Sequence, residues 1–269
     1  MGQSEYFARL GAAAAVCAAL GFAIANPRSA GEAASRAAAL AQDKSPLAQK
    51  TCPMGEKPFG APFADIADVI SVSPLGGVTA PGEQLPAPYI RINTRAGKTA
   101  FERRAISALA PGRADVTAIE RRTLRDETGA AAGHRWTLHF AACRDISFAY
   151  DDLDSVSDSI LARAGGLAQF VEIGGPDHLA IATRIRVKPG EAVGAGDGFD
   201  VLLADASAPP IALDRPERYR HNAFAHATAI NAPPTLLEAV AIDVAKARCP
   251  LDYLPEKIAA EWTPLLGDA

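Results

Sequence analysis

From Cys52 onward, glycine and proline cut the chain into short apolar segments, and inside those segments hydrophobic side chains recur at every second residue. Arg135–Ala141 sets Trp136, Leu138 and Phe140 against Arg135, Thr137 and His139, the alternation of a half-buried strand. Ile181, Thr183, Ile185 and Val187 repeat the period, and Lys188-Pro189-Gly190 follows as a turn. Tyr89–Asn93, Ile146–Tyr150 and Phe199–Asp205 are further strand candidates. The pattern predicts a mostly β, antiparallel sandwich or barrel. Only the end of the chain has helical spacing: in Pro234–Arg248, Leu237, Val240, Ala241 and Val244 recur every three or four residues, and Glu256–Leu266 follows as a second candidate.

With 269 residues, 49% hydrophobic and 22% charged, the chain can bury one large core. A net charge of -4 gives no overall attraction for nucleic acid. Ahead of the core, a short polar start leads into the uncharged apolar run Leu10–Ile24, and Ala23-Ile24-Ala25 offers small residues for cleavage, which reads as a signal peptide over 1–25. The run is shorter than the roughly 20 residues of a spanning helix, so no stable membrane span is expected after cleavage, and the product is expected to be secreted or periplasmic. Residues 26–50, rich in alanine and lacking aromatics, read as a linker to a domain over 51–269.

Cys17 leaves with the signal, and Cys52, Cys143 and Cys249 remain, enough for one intramolecular bridge. Cys52 and Cys249 lie near opposite ends of the folded region and are the expected pair, with Cys143 as a buried apolar side chain in a strand.

Catalytic signatures are missing. There is no Gly-x-Ser-x-Gly elbow, no His-Glu-x-x-His and no phosphate-binding glycine loop ending in Lys-Ser or Lys-Thr. His134 and His139 are five residues apart and fall on opposite strand faces; Asp177-His178 follows Gly174-Gly175-Pro176 and reads as a turn. The acidic stretch Asp151–Asp158 departs from a calcium-binding loop and reads as a solvated loop. In Arg91–Arg125 nine Arg and Lys stand against three Asp and Glu, an exposed basic strand face with its acidic partners elsewhere in the fold.

Taken in order, Ser71-Val-Ser-Pro-Leu-Gly-Gly-Val78, His139–Leu153, Val187-Lys-Pro-Gly-Glu-Ala-Val-Gly194 and Cys249-Pro-Leu-Asp-Tyr253 resemble an uncharacterised branch of the lysostaphin-like murein endopeptidases, a zinc metallopeptidase superfamily. The resemblance implies the duplicated hybrid motif, a hammerhead-like β architecture shared with lipoyl domains. Carrier function is not implied, since no lysine sits between small residues at a hairpin tip. Active members hold zinc with a His and an Asp from an early motif and a His from a late His-x-His pair, leaving one position for the attacking water. Here the early position falls near Leu85–Ile90, the late pair on Phe199-Asp-Val-Leu202, and the usual Tyr-x-His-Leu stretch reads Tyr150-Asp-Asp-Leu153. None of these carries a histidine, and Tyr, Leu and Phe cannot replace imidazole at a zinc ion.

The expectation is therefore a non-catalytic, peptidase-like envelope protein without cofactor, whose degenerate groove near Tyr89, His139, Asp151, Asp152 and Asp200 binds a peptide, glycan or protein. The alternative is a metal-dependent peptide or peptidoglycan hydrolase with a rearranged zinc site drawn from Asp152, Asp200, Asp205 and His139.

Overall fold

The computed structural model describes residues 46–52, 57–76, 87–94, 104–173, 175–210 and 246–267. The signal segment, most of the linker and most of the helix expected over Pro234–Arg248 lie outside the described residues. Among those described, no helix is long and apolar enough to cross a membrane.

Eleven strands carry the described fold: β1 (Val69–Ser73), β2 (Tyr89–Thr94), β3 (Ile106–Leu109), β4 (Ala114–Arg125), β5 (Ala131–Ala141), β6 (Ile146–Leu153), β7 (Ser155–Val156), β8 (Val171–Glu172), β9 (His178–Val187), β10 (Ala192–Gly196) and β11 (Gly198–Asp205). Three short helices accompany them, α1 (Pro46–Gln49), α2 (Asp158–Arg163) and α3 (Glu256–Trp262). The strands form an eight-stranded antiparallel sheet, ordered β1-β2-β11-β6-β5-β4-β9-β8, and a three-stranded sheet, β3-β10-β7. The mostly β, antiparallel expectation holds; the sheets do not close into a barrel.

Two strand pairs are continuous between the sheets. The chain passes from β6 to β7 at Asp154 and from β10 to β11 at Asp197. The Tyr150 hydroxyl ties the layers further by donating to the Leu109 carbonyl across 2.5 Å. The buried core is aromatic: Phe140 stacks on Phe148 at 4.5 Å, Tyr150 meets Phe199 edge-on, and Trp262 of α3 meets Phe63 edge-on at 5.8 Å. Such pairs add about 0.5–1.5 kcal/mol each beyond their buried area. Gly194 belongs to this packing rather than to a turn, because a Cβ there would stand 2.6 Å from the Ser155 carbonyl oxygen of β7. β10 can approach β7 only without a side chain at that point.

The expected Cys52–Cys249 bridge is corrected. Cys52 bonds to Cys143, their Cα atoms 5.2 Å apart, and Cys249 is a free thiol. The reason is local: the segment after α1 runs beside the β5–β6 connection, where the Arg144 amide donates to the Lys50 carbonyl at 2.8 Å. Cys143 is thereby a crosslink rather than an isolated core side chain. Cys249 follows Ala247, which bridges to Ala204 at the end of β11, and burial raises its thiol pKa.

Asp151–Asp158 is likewise not a solvated loop, since it comprises the end of β6, all of β7 and the first residue of α2. His178 is not in a turn but opens β9.

Candidate functional site

Opposed residues in an antiparallel sheet point to the same face. The register of the central strands therefore lays out two rows on the face turned away from the aromatic core. One runs Tyr89, Leu202, Ala149, His139, Ala118 and Ala182; the next runs Arg91, Asp200, Asp151, Thr137, Glu120 and Ala180. The first row is mostly apolar and the second mostly polar. Two clusters grow from them.

The first cluster is built on Arg91. Its Nη1 donates to Asp200 Oδ1 at 3.0 Å and its Nη2 to Asp152 Oδ2 at 3.1 Å, so one guanidinium joins β2, β6 and β11. A second guanidinium, Arg135, reaches the other Asp152 oxygen at 3.0 Å, bonds Asp154, and stands 3.9 Å from Asp197. These last two acids are the residues at which the chain passes between sheets, and Asp154 also accepts the Asp197 amide at 2.8 Å. Asp152 itself adopts a φ of 62°, the left-handed region that non-glycine residues rarely occupy. Burial works against the charge on Arg91, but Asp200 and Asp152 outweigh it and raise its pKa. Asp151, beside them, has its carboxyl raised by burial, partly offset by the hydrogen bond from Thr137 at 2.6 Å.

The second cluster is Glu120 with two histidines. Its two carboxylate oxygens each lie 2.6 Å from an imidazole Nε2, one of His139 on β5 and one of His178 on β9. An ionised carboxylate only accepts, so both Nε2 atoms carry the proton and donate. The Glu120 and His139 side chains are 4% and 2% exposed. Burial pushes the Glu120 pKa up, yet the hydrogen bonds and charges of His139 and His178 prevail and hold it at about 2, against an ordinary 4.5. The folded pKa is depressed, so the stabilisation is complete above the unfolded value and is lost as pH falls through the folded one. Between pH 4.5 and 2 the protein is expected to lose about 3 kcal/mol from this group alone, at about 1.4 kcal/mol per pKa unit. Urea unfolding at stepped pH checks this: Glu120→Gln should lack that part of the acid slope, and an unchanged slope would refute the assignment.

Of the five residues expected to line a groove, Tyr89, His139, Asp151 and Asp200 share this face, and Asp152 joins it through Arg91. They divide between the two clusters rather than meeting at one point. Asp205, the remaining member of the alternative metal set, accepts from the Tyr253 hydroxyl at 2.7 Å and from Ser207. Asp152 and Asp200 are held by Arg91, and His139 by Glu120, so the four side chains do not form a common ligand set. Among the described residues no three His, Cys, Asp or Glu side chains are arranged to hold a metal ion.

The sequence did not point to Arg91, Arg135 or Glu120 as site residues, and His178 read as part of a turn rather than as a partner of Glu120. Arg91 was visible only as part of a basic run, and its partners lie 61 and 109 residues away. Glu120 carried a clearer signal, an acidic residue among Val116, Ala118 and Ile119, where a carboxylate needs a partner. No protein-family model matches this chain, and none of the curated proteins does.

Proposed function

We propose that this chain is an exported, non-catalytic protein with the architecture of a lysostaphin-like zinc peptidase, built on the duplicated hybrid motif. It uses the face around Arg91, Tyr89, Asp151, Asp152 and Asp200 to bind an envelope peptide, glycan or protein.

The observation that carries this reading is a convergence. The resemblance assigns the zinc surroundings to three segments, near Leu85–Ile90, at Tyr150–Leu153 and at Phe199–Leu202. Tyr89 and Ile90 of the first segment lie on β2, the second segment lies on β6 and the third on β11, neighbours in the sheet with β11 in the middle. Asp152 of the second segment and Asp200 of the third meet at one guanidinium. Segments far apart in sequence thus gather as a peptidase-like site would require, with carboxylates and an arginine in place of imidazoles. Zinc binding of that kind does not fit these residues, because an ion held by two His and one Asp needs nitrogen donors that are not there. Export is supported by the apolar N-terminal run and by the Cys52–Cys143 disulfide, a bond that persists in oxidising compartments.

The test uses residues 26–269, purified and incubated with murein sacculi and with a washed envelope protein fraction. The expected result is co-sedimentation or capture without release of soluble fragments, whether or not zinc is added. Cleavage of murein or peptide, or stoichiometric zinc by elemental mass spectrometry, would replace this reading with the hydrolase. Absence of binding to every envelope fraction would also overturn it.

A further inference from the structure

We infer that Arg91 is the resident cation of the carboxylate site on β2, β6 and β11, standing where a divalent metal would have to stand and keeping the site in shape without one. The inference extends the proposed non-catalytic reading of this face.

Asp152 and Asp200 reach the same guanidinium from neighbouring strands, and two carboxylates gathered on a half-buried surface repel unless a cation neutralises them. A metal or an organic cation can fill that role. Here the Arg91 fork does so, one nitrogen to each acid at 3.0 and 3.1 Å, from a strand that pairs directly with β11. Guanidinium suits the task because it stays charged and its N–H groups are fixed in a plane, so one side chain can bond two acids at once. The second oxygen of Asp152 is used by Arg135 at 3.0 Å. A dication entering between Asp152 and Asp200 would have to displace Arg91, because two cations cannot share the gap between the same two oxygens. The donor set itself points the same way, since the imidazole of His139 on this face is committed to Glu120.

The arrangement implies that removing the arginine opens a divalent-cation site. Arg91→Met keeps the length of the side chain and deletes its charge and donors. Titrating zinc chloride and calcium chloride into the unaltered protein and into R91M by calorimetry should show at least a tenfold tighter affinity for one of these ions in R91M. Asp200→Asn added to R91M should abolish the gain. Arg135→Met, which leaves Arg91 in place, should show none, which separates loss of the resident cation from general loosening. Should R91M fail to fold alone, the same reasoning requires millimolar zinc or calcium to restore its circular dichroism spectrum. Folded R91M with no gain in affinity, unfolded R91M that neither ion rescues, or unaltered protein that binds as tightly as R91M would each overturn the inference. The murein and envelope binding test reads neither titration, so failure there removes the proposed function without bearing on Arg91.

Discussion

Glu120→Ala is expected to lower the unfolding free energy by about 3–5 kcal/mol, the usual cost of removing one partner from a buried ionic set. The size follows from what remains. His139 is almost wholly buried, and without Glu120 its Nε2 proton loses its acceptor, as does that of His178. A buried donor left without a partner costs about 1–3 kcal/mol, and the cavity adds to it. Glu120→Gln is expected to cost less, about 1–3 kcal/mol, because the amide oxygen can still accept from one imidazole. Urea denaturation measures both. The informative comparison is a cycle with His178→Ala: if Glu120 acts through the histidines, the double variant loses clearly less than the sum of the singles. Strict additivity would mean that the carboxylate stabilises the sheet some other way.

The second large effect concerns the crosslink. Cys52 and Cys143 are 91 residues apart, and a bridge closing a loop of that length restricts the unfolded chain considerably. Cys143→Ser is expected to lower stability by about 2–5 kcal/mol. The unaltered protein should fall to a similar level in reductant, while the variant should be indifferent to reductant. Cys249→Ser should leave this reductant effect in place, because Cys249 takes no part in the bond. If Cys249→Ser instead removed the effect, the expected 52–249 pairing would be right after all.

The sequence disclosed the strands better than their meeting points. β5, β9 and β11 were legible because each alternates or concentrates apolar residues in a way only a strand accommodates. β4 was obscured by Arg121, Arg122 and Arg125, whose charges read as a solvated face although the first half of the strand is buried. Glu120 stood out as an acid among apolar neighbours, but its two histidine partners were not legible. The cluster exists because the register of β4 against β5 and β9 brings together residues 19 and 58 positions apart, and alternation within one strand says nothing about register between strands. The acidic stretch beginning at Asp151 failed as a loop for the same reason: its neutralising partners, Arg91 and Arg135, are on other strands. Cysteine pairing turned on the path of the segment before β1, which period-two reasoning does not reach.

The place of β11 in the large sheet bears on how such a chain can fold as it emerges. Among the described strands β11 is the last in sequence, yet it lies between β2 and β6. Among the described strands, β1 and β2 form one pair and β6, β5, β4, β9 and β8 another hydrogen-bonded set, and β11 is the strand that joins them. Completion of the large sheet therefore waits for residues 198–205, about three quarters of the way along the 269-residue chain. A sheet closed by strand pairings so distant in sequence is expected to form slowly, because the loop-closure entropy is lost before the contacts are gained.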